Sequence, residues 1–119
     1  MWVRFEHERE PYGLFSYLSE ARSQLTGEAL LEVETLRHWF RSQLDAPELS
    51  TRADERFWFR EEADQHIARA RRLAELCRLA GIPIVERRTA RIPGKVRWED
   101  PRQVAVLTYR DAPRAKRDD

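Results

Sequence analysis

Two stretches of the chain space their apolar residues three and four apart, and these are the helices the sequence predicts. The first runs from a Thr26 cap to about Leu44, with Ala29, Val33, Leu36, Phe40 and Leu44 on one side. The second runs from about Glu61 to Ala80, with Ala63, Ile67, Ala70, Leu73, Ala74 and Cys77 as its stripe. Glu61, Glu62 and Asp64 place acids in its first turn, as the helix dipole favours, while Gly81 and Pro83 stop it. Leu76 and Leu79 project off this stripe, as Trp39 and Leu31 do off the first.

Elsewhere the period is two or the chain breaks. Trp2 to Phe5 reads as a first strand, ended by Pro11 and Gly13, and Phe57-Trp58-Phe59 has strand character. Three more strands follow Gly81, over Ile82 to about Ala90, Lys95 to Glu99 and Gln103 to Tyr109. Pro93-Gly94 and Asp100-Pro101 provide the turns between them. Leu14 to Leu25 fits either a short helix or irregular packing.

These elements predict a single α+β domain over residues 1–110 and a charged, flexible tail over 111–119. The expected architecture is one antiparallel or mixed sheet of four to five strands, with two main helices packed on one face. A ferredoxin-like arrangement is the nearest common type.

Composition narrows the setting. The chain of 119 residues is 41% hydrophobic and 36% charged, which describes a globular domain with a heavily charged surface. No window reaches the apolar length of a membrane span, and MWVRFEHERE has no apolar signal core, so a cytoplasmic location is expected. Charge is divided along the chain: residues 1–65 carry 8 arginines against 14 acids, and residues 66–119 carry 14 basic residues against 7 acids. Such a division fits a bipolar surface, self-association or an anionic partner, and equally two halves that interleave and pair locally. Arginine supplies 20 of the 22 basic residues, which suits carboxylate and phosphate recognition.

Candidate chemistry is sparse. Glu62 and His66 stand four apart, a spacing that brings two ligands to one helical face, but no third ligand is fixed and no metal site is expected. Cys77, the single cysteine, belongs to a core stripe near a helix C-terminus, where the dipole disfavours a thiolate. The four glycines are too dispersed to build a phosphate-binding loop, so no nucleotide cofactor is expected.

Three functional readings follow. The first is a small non-enzymatic protein-interaction or regulatory module, self-associating or bound to another protein through Trp39, Leu76 and Leu79. The second is a nucleic-acid-binding module. In it Arg87, Arg91, Lys95 and Arg97 form the outer face of a hairpin, with Tyr109 near by and Val96 and Trp98 turned to the core. The third is a small enzyme, with Glu62 and His66 as its one nameable pair.

Overall fold

The computed structural model describes residues 1–44, 55–108 and 116–117. Strand β1 (Trp2–His7) is followed by a 3-10 turn at Leu14–Tyr17 and by helices α1 (Leu18–Gln24) and α2 (Gly27–Gln43). Then come β2 (Glu55–Arg60), α3 (Asp64–Leu79), β3 (Ile84–Thr89), β4 (Gly94–Glu99), β5 (Gln103–Thr108) and the two-residue β6 (Lys116–Arg117). The class is α+β, with one sheet in the order β4-β5-β2-β1-β3-β6 and every pairing antiparallel. Within it β2 and β3 run parallel on either side of β1, joined by α3. The remainder of the predicted 111–119 tail, like Tyr109, lies outside the described residues.

Both predicted stripes are core. Val33 and Phe40 of α2 and the full stripe of α3 are buried, against Val3, Phe5 and Phe59 from one face of the sheet. Gly81, at φ 88°, ends α3 as its position suggested, and Ile82 N–H returns to the Cys77 carbonyl at 2.9 Å. The ambiguous stretch from Leu14 is helical, and its Leu14, Tyr17, Leu18 and Ala21 are buried in the same core. A short helix, one of the two alternatives for this stretch, therefore joins the two main helices in the core.

One turn is placed as predicted and the other is not. Asp100 Oδ1 accepts from the N–H groups of Arg102 (2.7 Å) and Gln103 (2.9 Å), closing the β4–β5 hairpin with an aspartate turn. Pro93-Gly94 closes no hairpin, because β3 and β4 stand four strand spacings apart. They also run so that Thr89 and Gly94 occupy opposite ends of the sheet. On a flat sheet those ends would be roughly 25 Å apart, from about 4.8 Å per strand spacing and about 3.3 Å per residue along a strand. Five residue steps reach at most about 18 Å. The sheet is therefore strongly coiled, bringing its diagonal corners together. The coil shelters the face turned away from the helices, where Trp58, Val104 and Val106 form a second small core with Trp2 against it.

Gly94 owes its place to contact with β5, not to a turn. A Cβ built there would lie 2.1 Å from the Leu107 carbonyl oxygen and 3.2 Å from Val106 Cβ. Gly94→Ala should cost about 1–3 kcal/mol, as overpacking against a backbone does. Hydrogen exchange should register it as lost protection confined to β4 and β5; unchanged protection there would show that β5 yields freely.

Candidate functional site

The sheet is split along one seam. β1 and β2 pair at Trp2–Arg60 and Val3–Phe59 and then part. Where they part, the Arg4 guanidinium fills the gap, donating from Nη1 to the Phe57 carbonyl (3.0 Å) and from Nε to Glu6 Oε1 (3.1 Å). Beyond the parting, on the same edge of β1 that β2 leaves, His7 N–H bonds to the Tyr12 carbonyl at 3.0 Å and Glu6 bridges to Gly13, so the chain doubles back along that edge. Arg4 packs so closely that a Cβ on Gly13 would come within 3.1 Å of Nη2.

Below this seam opens a cleft of about 520 Å³. Residues 11–16 form one wall and residues 56–59 of β2 the other, with Phe40, Arg41 and Leu44 at the end of α2 over it. Phe5, Phe15, Phe40, Phe57 and Phe59 all line it, and these are the five phenylalanines of the chain. Tyr12 and Trp58 add two more rings. Phe15 meets Phe40 edge to face at 4.9 Å, while Phe15 and Tyr12 stay 42% and 53% exposed. Exposed rings facing a cavity of this size are unusual for surface that serves packing alone.

The charged residues of the lining are Arg4, Arg41 and Arg56, and it includes no aspartate or glutamate among the described residues. Arg4 is enclosed, and burial lowers its pKa to about 10, Glu6 opposing the shift and Arg56 adding to it. It stays charged at neutral pH. Arg41 is exposed at the end of α2 and makes no ion pair among the described residues.

The residues singled out from sequence are dispersed. Leu76 is a core residue, 2% exposed, and leaves the predicted protein contact; Leu79 is 69% exposed. Trp39 is half-buried, with the Arg69 guanidinium 4.0 Å over its ring and His66 4.8 Å away. These three do not make one patch.

The basic face fares similarly. Arg87 is buried, with Nε 3.5 Å from Glu6 Oε2 and Nη2 donating to the Glu8 carbonyl at 3.4 Å. Arg91, Lys95 and Arg97 are exposed, but β3 and β4 lie on opposite sides of the sheet, so they do not join Arg87 on a hairpin. The register also shifts between Val96, opposite Val106, and Trp98, opposite Ala105. Val106 and Ala105 point to opposite faces, so Val96 and Trp98 do not share the core face expected of them; Val96 is 38% exposed.

Glu62 precedes α3 and is exposed, whereas His66 is buried within it, so helical spacing does not bring the two together. His66 Nε2 lies 3.0 Å from the Gln43 carbonyl, an acceptor that requires the proton on that nitrogen and removes it as a ligand. No group of three or more metal-ligating side chains converges among the described residues. The two halves of the charge division interleave in part: Arg72 forks onto Glu32, Arg60 meets Glu99 and Arg87 meets Glu6.

Cys77 is fully buried, and burial pushes its thiol up to about 11. Two results should follow. Aromatic disulfide reagents at pH 8 should label it only at the rate of unfolding, with immediate labelling in denaturant as the reference. Stability should also fall above pH 9, because the unfolded thiol ionises near 9 while the folded one keeps its proton to about 11. A melting temperature flat from pH 8 to 10.5 would contradict this.

No helix among the described residues is long and apolar enough to cross a membrane. Comparison of the chain with protein-family models, curated proteins and solved structures finds no match.

Proposed function

We propose that this protein is a small binding module whose ligand occupies the cleft between residues 11–16, β2 and the end of α2. The observation that carries this reading is the convergence of all five phenylalanines on one open cavity of about 520 Å³. Ligand sites for small molecules are concave, predominantly apolar and carry few polar groups, and cavities of about 300–1,000 Å³ are typical of them. The framework around it suits such a role. The split β2-α3-β3 crossover around β1 is the half of a ferredoxin-like arrangement that this reading uses, with β1 held on β3 and β2 held on β5. The two strands are fixed on their outer sides, so they stay parted where Arg4 fills the gap above the cleft.

Titration with 1-decanol, an uncharged chain, tests the cleft itself. Amide shifts in a nitrogen-15-labelled sample should concentrate at residues 4–5, 11–16, 40–44 and 56–59. Leu44→Trp, which adds bulk to the half-buried lining, should weaken binding without lowering the melting temperature. Shifts centred on Leu31 and Leu79, the exposed leucines of α2 and α3, would move the binding surface to the helices and overturn the reading.

A further inference from the structure

Resting on that reading, we infer that the ligand is an amphipathic monocarboxylate: an apolar chain or ring seated among the phenylalanines, with its carboxylate held at the cleft mouth by Arg41.

The argument starts from the sign of the lining. The chain holds 22 basic and 21 acidic residues, so a surface drawn from it without selection would mix both. This lining has three arginines and no acid among the described residues. With the Arg4 charge balanced by Glu6, a carboxylate placed beside it meets Arg41 and Arg56 and no lining acid among the described residues, whereas an ammonium would find no lining acid there to attract it.

Burial then separates the arginines by role. Arg4 is enclosed and its donors are committed to Glu6 and the Phe57 carbonyl, so it supports the wall with its charge already paired. Arg56 stands half-buried on the β2 wall. Arg41 is solvent-exposed at the rim, one residue from Phe40 in the roof, and its planar fork is available to a carboxylate. Because Arg41 is exposed while Phe5, Phe40 and Phe59 are buried, the ligand's two ends are ordered: body inward, head outward. That order keeps the carboxylate partly hydrated, which avoids the large cost of enclosing a charge.

Three ten-carbon probes with different heads test this on the intact chain: decanoate, 1-decanol and decyltrimethylammonium, at pH 7.5. Decanoate should bind about tenfold more tightly than decanol, a ratio equivalent to about 1.4 kcal/mol, and the ammonium more weakly than either. Raising salt from about 0.05 to 0.5 M should weaken decanoate binding and shrink the ratio, as screening of an exposed pair requires. Arg41→Met should bring the decanoate-to-decanol ratio close to one, and Arg41→Glu should invert it; the residue is exposed, so both variants should melt with the parent chain.

Equal affinity for decanoate and decanol, or a ratio that survives Arg41→Met, overturns the carboxylate assignment and leaves the cleft as a neutral apolar site. Failure of all three probes to bind overturns the cleft reading instead.

Discussion

Glu6→Ala should be among the most damaging single substitutions in this protein, lowering stability by about 3–5 kcal/mol. Glu6 stands between two guanidinium groups, 3.1 Å from Arg4 Nε and 3.5 Å from Arg87 Nε, and the side chains of both arginines are 7% exposed. Arg87 Nε already lacks a hydrogen-bond partner among the described residues. Removing the shared carboxylate leaves two enclosed cations facing each other across adjacent strands, since Arg4 and Arg87 are register partners. A domain of this size has about 5–15 kcal/mol in total, so such a loss takes it close to half-unfolded at moderate temperature.

The comparison that makes this specific is Arg4→Met. That change removes one cation and leaves Glu6 with Arg87, so it should cost clearly less than Glu6→Ala despite deleting the donor to Phe57. The pH dependence supplies a second check. Burial already holds Arg4 down to about 10 against the counteracting pull of Glu6, and without Glu6 its pKa falls further. The unfolded chain then binds the proton where the folded one has released it, so stability rises with pH in that interval. The gap between Glu6→Ala and the parent should accordingly narrow as pH rises towards about 10, where the parent's own Arg4 begins to release its proton, and level off above it. A variant melting within two or three degrees of the parent would show that solvent, not Glu6, balances these arginines.

How much of this was legible in sequence depends on whether the physics was local. Period three-and-four patterns named the α2 and α3 cores residue by residue, and Asp100-Pro101 named its turn, because each rests on neighbours a few positions away. Pro93-Gly94 carries an equally strong local turn signal, yet Gly94 lies against Leu107 because of a pairing formed thirteen residues later. Strands adjacent in sequence are usually adjacent in space, and the strand order β4-β5-β2-β1-β3 is what breaks that rule here. The basic face was lost with it.

The cleft was illegible for a related reason. Its phenylalanines come from β1, the 3-10 turn, α2 and β2, and each looks like an ordinary core residue in its own segment. What marks them as a group is the parting of β1 from β2, which Arg4 wedges open. An arginine between Val3 and Phe5 reads from sequence as the solvent-facing member of an alternating strand. In the fold it is 6% exposed, and that inversion was the one signal the sequence could not display.

Leu76→Ala should cost about 2–5 kcal/mol, and Leu79→Ala less than about 0.5 kcal/mol, although the two residues sit one turn apart on the same helix and both leave its main stripe. The difference comes from what flanks α3. Leu76 is 2% exposed and belongs to the main core, whereas Leu79 is 69% exposed. The stripe through Ala63, Ile67, Ala70, Ala74 and Cys77 accounts for one buried flank only. A second faces α2, α1 and the Leu14–Tyr17 turn, which all pack on α3: Arg69 and Arg72, on either side of Leu76, reach Trp39 and Glu32 of α2, and Tyr17, Leu18 and Ala21 join the same cluster. The turn and α1 come from a stretch that in sequence fits either a short helix or irregular packing, so the burial of Leu76 is not legible from the α3 pattern alone. Truncation there leaves a cavity inside the main core, whose packed elements cannot all close on it, and this puts the cost well above the transfer of the lost methyl groups alone. Thermal or urea unfolding of the two variants decides the matter. Equal stabilities would mean that the flank of α3 carrying Leu76 opens in solution, returning Leu76 to the surface and restoring it as a contact residue.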